Sequence, residues 1–224
     1  MIVLSWNVRG LNSIPRKKAI RELVKSHSPA VVFIQETKLS IERMMYTTVK
    51  IWPRCLCQCI GAQGSSGGLA LLWDPHKLVP LWWVSSRSSI SLVATCCETG
   101  EILLFTNVYA PIDFVGKTLL WSHIGYVRSL APLFPWILAG DFNAVVSLME
   151  KQGGNPRLDP SAGLLRSNIE RLRVMDIIPS NGLFTWNNRR CGGEAIVERL
   201  DFFFPTFGWQ TVGTLDRRFW IGGD

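Results

Sequence analysis

Apolar runs recur along the whole chain, each closed by polar or turn-forming residues. Ile2–Trp6, Ala30–Ile34, Gly68–Trp73, Ser91–Thr95, Ile102–Val108 and Trp136–Ala139 are short and rich in Val, Ile, Leu and Phe, the pattern of strands buried on both faces. Helical spacing lies between some of them. Ser13 is placed to cap a helix with Pro15 in its first turn, Ala19, Ile20, Leu23 and Val24 on its buried stripe, and Pro29 at its end. A second helix is predicted over Thr118–Leu130. A third, capped near Ser161, carries Leu164, Leu165, Ile169 and Leu172 inward. Gly64–Gly68 reads as a hairpin-like loop and Gly153–Pro160 as an exposed connection. Paired strands mixed with helices predict an α/β sandwich, with sheets packed face to face and helices outside. No internal repeat, low-complexity tract or long linker divides the sequence, so residues 1–224 are expected to form a single domain.

Composition narrows this picture. Hydrophobic residues make up 47% and charged residues 18% of the 224, which is globular and excludes a disordered chain. Ten tryptophans favour a heavily packed core. No apolar run approaches the roughly 20 residues that span a bilayer. The polar Asn7 and Arg9 soon after the start do not fit a secretory signal, so an intracellular protein is expected. The net charge of +7 suits a polyanionic partner, nucleic acid being the commonest, although charge alone fits any soluble basic protein. Cys55, Cys57 and Cys59 alternate as on one strand face, Cys96 and Cys97 are vicinal, and Cys191 stands alone. Without CxxC pairs or a histidine cluster, reduced thiols are expected rather than zinc.

The chemistry sits where the strands end. Asn7 follows IVLSW, Glu36 follows VVFIQ, Asn107 and Tyr109 follow ILLFT, Asp141 and Asn143 follow WILAG, and Asp201 follows IVERL. In extended backbone Asp141 and Asn143 share a side, as do Asn107 and Tyr109, and Arg199 and Asp201. Hard divalent cations such as Mg²⁺ take oxygen ligands and keep waters, so one or two carboxylates suffice. A carboxylate can orient a water or take its proton, and amides or a phenol can donate to a phosphate as charge builds on it. Singly, each residue has an ordinary explanation as a turn former or a solvated end. Five such segments in one chain point to phosphoryl chemistry.

The ordered set SWNVRG (5–10), QETK (35–38), NVYAP (107–111), GDFN (140–143), FTWN (184–187) and RLD (199–201) resembles the endonuclease/exonuclease/phosphatase superfamily. With EKQGG (150–154) and LFTWNN (183–188), it is most similar to the endonuclease domain of plant LINE-type retrotransposons, relatives of apurinic/apyrimidinic endonucleases. The resemblance implies a four-layered α/β sandwich of two packed mixed sheets with helices outside. It also implies Mg²⁺-dependent hydrolysis of a DNA phosphodiester that leaves a 3′-hydroxyl, with Mn²⁺ as a substitute metal. Glu36 is then the principal metal ligand with Asn7 beside it, and Asp141 positions or activates the water. Asn143 holds the scissile phosphate, Tyr109 lines the site, and Asp201 supports it. Asn107, Thr185, Arg9, Lys38 and Arg199 are the expected substrate-side residues, the last three as charge partners for phosphate or for the carboxylates. DNA is the expected partner, with a monomeric chain, a nuclear location and a reverse transcriptase module in the parent element.

The sequence departs from the family pattern at one place. That pattern closes on a Ser-Asp-His segment, whose His contacts the phosphate and whose Asp orients it. This chain has only His27, His76 and His123. Val212–Arg217 leads toward the segment, but Phe219–Asp224 stands in its place, and Asp216 and Asp224 have no His to orient. Relative to the family pattern the domain is therefore expected to be C-terminally truncated, to lack its final strand and to have impaired activity. A catalytically inactive remnant that at most binds nucleic acid is the alternative. A phosphoesterase acting on inositol phosphates or sphingolipids is a third reading, disfavoured by FTWN and the positive charge.

Overall fold

The computed structural model describes residues 1–224 except 65, 180–181, 208, 210–217 and 223–224, with 218–222 described as backbone only. In chain order the elements are β1 (Ile2–Asn7), α1 (Ile14–His27), β2 (Val31–Gln35), α2 (Ile41–Ile51), β3 (Leu56–Ile60), β4 (Leu69–Trp73), β5 (Leu78–Ser85), β6 (Ser89–Cys96), β7 (Ile102–Tyr109), α3 (Phe114–Leu130), β8 (Trp136–Asp141), β9 (Lys151–Gln152), α4 (Ser161–Leu172), β10 (Trp186–Asn187), β11 (Val197–Glu198), β12 (Asp201–Pro205) and β13 (Arg218–Gly222). Among the described residues they form two five-stranded mixed sheets, ordered β13-β1-β2-β4-β3 and β12-β8-β7-β6-β5, and a small sheet β10-β11-β9.

Period-two alternation builds the layers. Val31 and Phe33 of β2 face the second sheet and pack in one core with Leu92, Phe105, Ile137 and Phe203. Val32 and Ile34 face the other way, against Ile20 and Val24 of α1 and Met44 and Ile51 of α2. The outer face of the second sheet, with Leu104, Leu138 and Phe204, is covered by Leu120, Ile124 and Val127 of α3 and Leu165 and Leu172 of α4. The result is the expected four-layered sandwich, and its strands are apolar on both sides because both sides are covered. Each fully buried Leu, Ile or Phe contributes about 1.5–3 kcal/mol.

Local signals explain most element ends. The Ser13 hydroxyl accepts from Arg16 N, as a cap should. α3 starts earlier than expected because Asp113 caps it by accepting from Gly116 N. Ser161 is not the cap of α4. Pro160 holds that position, while the Ser161 hydroxyl is taken up by Lys117 Nζ at 3.1 Å. α2, capped by Ser40, was not foreseen. No helix among the described residues is long and apolar enough to cross a membrane.

The expected loss of a final strand is corrected. β13 pairs in parallel with β1, from Ile2 opposite Arg218 to Trp6 opposite Gly222. Extending a sheet edge requires main-chain donors and acceptors, not a Ser-Asp-His sequence, and RFWIG is rich in residues that suit a strand. Asp216 and Asp224 lie outside the described residues.

Candidate active site at the strand ends

Strand direction gathers the polar termini. β1 and β2 are parallel and finish side by side at Asn7 and Gln35. β7 and β8 are parallel and finish at Tyr109 and Asp141, and Asp141 is in turn opposite Asp201, the first residue of β12. The two sheets meet through these ends. Asn7 Nδ2 donates to Asp141 Oδ2 at 2.6 Å, Asn143 N donates to Asp141 Oδ1 at 2.8 Å, and Arg9 N donates to Asn7 Oδ1 at 3.1 Å. Asn143 is fixed from both ends. Its Nδ2 donates to Ala110 O at 2.7 Å, and its carbonyl accepts from Lys117 Nζ at 2.6 Å.

Asp141 is only 3% exposed. Burial pushes its carboxyl up to about 6; the Glu36 charge adds to this, while hydrogen bonds from Asn143 and Asn7 and the charge of Arg9 oppose it. Burial also pushes the Tyr109 phenol well up, followed by the charges of Glu36 and Asp141, so it stays a hydroxyl donor at neutral pH. Glu36 thus acts electrostatically on both residues, although it hangs from the opposite sheet.

Glu36 leaves β2 through a strained turn. Arg9, Glu36, Lys38 and Asn143 all have positive φ, between 46° and 54°, which costs non-glycine residues of order 1–3 kcal/mol each. Neighbouring backbone holds the turn: Gly10 N and Leu11 N donate to Glu36 O and Thr37 O, and Thr37 N and Lys38 N donate to Gly68 O and Gly67 O. Gly68 is required there, since a Cβ would lie 2.2 Å from Thr37 Oγ1. Lys38 Nζ sits 2.9 Å from Glu36 Oε1, where a cation is already favoured. The donors at this point are the Glu36 carboxylate, the Asn7 amide oxygen and the Asp141 carboxylate. Among the described residues no group of three His, Cys, Asp or Glu side chains could hold a metal. That oxygen-only set fits a hard cation that keeps several waters.

Beside Glu36 opens a groove of about 680 Å³ lined by Arg9, Arg16, Lys38, Arg189 and Arg190. Trp186 forms part of its wall, with the Arg9 guanidinium 5.7 Å from the ring centroid. Arg16, Trp186, Arg189 and Arg190 were missed as candidates, although the Asn-Asn-Arg-Arg run after FTW was a usable signal. Lys117 was also missed. Its place on the buried stripe of α3, in step with Leu120, Trp121 and Ile124, was the clue.

Two expectations are corrected. Asn107 does not reach substrate. It is fully buried and accepts from Gln35 Nε2 at 2.6 Å, while its own Nδ2 donates to Ala70 O at 2.8 Å. Gln35 Nε2 also donates to Ser5 Oγ at 3.0 Å, so the pair forms a polar bridge between the sheets beneath the site. A polar residue in a strand run faces the core as readily as the edge, and sequence spacing could not decide between them. Arg199 is likewise unavailable to phosphate. It is 1% exposed and its guanidinium is spent on Glu150, Asp176 and Ile177 O. The Thr185 hydroxyl accepts from Leu200 N and Asp201 N, both at 3.1 Å, which fixes the start of β12.

Solved structures share this architecture. The endonuclease domain of TRAS1, a telomere-specific non-LTR retrotransposon, superposes with a TM-score of 0.71 at 15% identity, covering 94% of this chain and 87% of that one. The 3′ phosphatase NExo from Neisseria, bound to product DNA hairpin, gives 0.70 at 18% identity, with 92% and 86% covered. The AP endonuclease LMAP from Leishmania major gives 0.71 at 14% identity, with 91% and 78% covered. At such identities the likeness is one of fold. The family profile itself matches residues 4–220, nearly the whole sequence, and on that match the chain belongs to the Endonuclease/Exonuclease/phosphatase family.

Proposed function

We propose that this chain is a metal-dependent DNA phosphodiesterase of the retrotransposon-endonuclease type. The observation that carries the reading is the contact of Asn7 with Asp141 across the two sheets, within the field of Glu36, which itself lines a basic groove. The groove cations hold the phosphate backbone, and Trp186 offers a face for a base. Glu36 and Asn7 would hold Mg²⁺, or Mn²⁺ in its place, which when bound neutralises charge developing on the phosphoryl oxygens. Asp141, ionised above about pH 6, orients the attacking water and takes its proton. Tyr109 and the second amide hydrogen of Asn143 donate to the phosphate oxygens. The water oxygen bonds to phosphorus as the bond to the 3′-oxygen breaks, and that oxygen leaves as an alkoxide that takes a proton from solvent to become the 3′-hydroxyl.

A second reading, a remnant that binds nucleic acid without cutting it, is favoured by the positions of the histidines. His27 ends α1, His76 follows β4, and His123 is on α3. No imidazole therefore stabilises the phosphate, which typically costs about 10²–10⁴ in rate. Plasmid nicking separates the readings. With Mg²⁺, slow conversion of supercoiled to open-circular DNA that is abolished by Glu36→Ala and by Asp141→Ala supports the enzyme. Salt-dependent binding with no nicking selects the remnant, and phosphate release from an inositol polyphosphate would move the substrate away from DNA.

A further inference from the structure

The sandwich has a second open end, at the opposite edge from Asp141. β8 starts there at Trp136, whose N–H donates to Thr206 Oγ1 at 3.0 Å, closing the far side of the sheet. Beyond this closure lies a cleft of about 530 Å³ at the C-terminal ends of α3 and α4, whose described lining holds three arginines and no carboxylate. Arg128 serves the fold there. It donates to Ala131 O at 3.0 Å and Phe134 O at 2.8 Å, and lies 5.4 Å from the centroid of the Trp136 ring. Arg171 and Arg173 are exposed. Among the described residues Arg171 donates to the neutral Asn168 Oδ1, at 2.8 Å through Nη2 and 3.3 Å through Nε, which orients the guanidinium without cancelling its charge. Its tip passes across α3 at Gly125, where an added Cβ would lie 3.2 Å from the guanidinium nitrogens. A glycine in the middle of a helix costs about 1 kcal/mol against alanine, and here it leaves the space that Arg171 occupies.

The rim of this cleft is apolar. Leu133 is 89% and Phe207 68% exposed, and Tyr126 and Leu130 are about half exposed on the adjoining turns of α3. Uncompensated arginines beside exposed aliphatic and aromatic side chains complement a segment that is acidic and amphipathic at once. A phosphate backbone matches less well, because it gains nothing from Leu133 or Phe207 and finds a more basic groove at the other end of the molecule.

We infer that this end of the domain docks an acidic, amphipathic peptide segment of another protein. Fluorescence anisotropy with a labelled synthetic peptide of Asp, Glu, Leu and Phe tests this on the full chain. Peptides with Lys for the acids, or Ser for Leu and Phe, serve as controls, together with a single-stranded oligonucleotide. Of the three peptides only the acidic amphipathic one should bind, and the oligonucleotide, held by the basic groove at the other end, should not displace it. Its affinity should fall with salt, and should drop about tenfold or more in the Arg171→Glu/Arg173→Glu variant. Leu133→Ser should weaken it without altering the salt slope. Arg173 caps α4 at φ 52°, so Arg173→Gly removes the charge in a backbone conformation that glycine favours and shows that the loss is not unfolding. No binding, equal binding by the Lys peptide, affinity unchanged in both arginine variants, or displacement of the peptide by the oligonucleotide would each overturn the inference.

Discussion

Two acidic clusters lie side by side where the chain enters β12, one at Arg199 and one at Asp201 with Asp141 opposite it, and they are wired in opposite ways. At Arg199 the guanidinium is held between Glu150 and Asp176, donates to Ile177 O and lies 4.4 Å over the Phe202 ring. Glu150 also accepts from Val146 N at 2.6 Å. Both carboxylates there contact the one guanidinium, and the arrangement pins the 147–150 turn and the 176–177 segment to the start of β12. At Asp141, opposite Asp201 in the ladder, the carboxylate is buried on neutral donors, with Glu36 close enough to raise its carboxyl further. One cluster is complete as it stands. The other buries one carboxylate on neutral donors and places a second, Glu36, on the wall of a basic groove, the arrangement expected where a cation and a phosphate are to be received.

Breaking the two clusters should therefore give opposite signatures. Asp141→Asn should lower nicking by about 10²–10⁴ without costing stability at neutral pH. Arg199→Met should cost about 3–5 kcal/mol in chemical denaturation, because it leaves the buried Glu150 carboxylate without its cation. Equal stability losses in both variants would remove the distinction.

The titration of Asp141 sharpens it. The carboxyl rises from 3.8 to about 6 on folding, so between those values the folded chain binds more protons than the unfolded one, and stability falls as pH rises. In the absence of divalent cations, wild type should lose up to about 3 kcal/mol relative to Asp141→Asn across that window. Urea denaturation of both proteins at a series of pH values measures the difference, and a flat difference contradicts the burial account.

The smallest expected effect comes from the bridge beneath the site. Asn107→Leu leaves the Gln35 amide and the Ala70 carbonyl without their partner and should cost about 1–3 kcal/mol. It should weaken catalysis only by loosening the alignment of the sheets, so nicking should fall much less than in Asp141→Asn.

These contrasts also explain what could be read from the sequence. Strands such as Val31–Gln35 announced themselves because both faces are buried, and α1 was legible from Ser13 and Pro15. The carboxylates at 36 and 141 were legible because they end apolar runs. α2 was not, as its buried positions include Thr47 and Thr48 as well as Met44 and Ile51. The roles of Asn107 and Arg199 were invisible because a side chain's partners are set by tertiary packing: Arg199 pairs with residues 49 and 23 positions away. β13 was not legible because the strand depends on backbone pairing with β1 and not on the family's catalytic sequence.

The central claim is that Glu36 and Asp141, from different sheets, act at one site, Glu36 with Asn7 on the cation and Asp141 on the water beside it. Binding of Mn²⁺, followed by electron paramagnetic resonance in wild type, Glu36→Gln and Asp141→Asn, tests it most directly. The account predicts one site in wild type, lost in Glu36→Gln and weakened in Asp141→Asn. Equal affinity in all three proteins would contradict it.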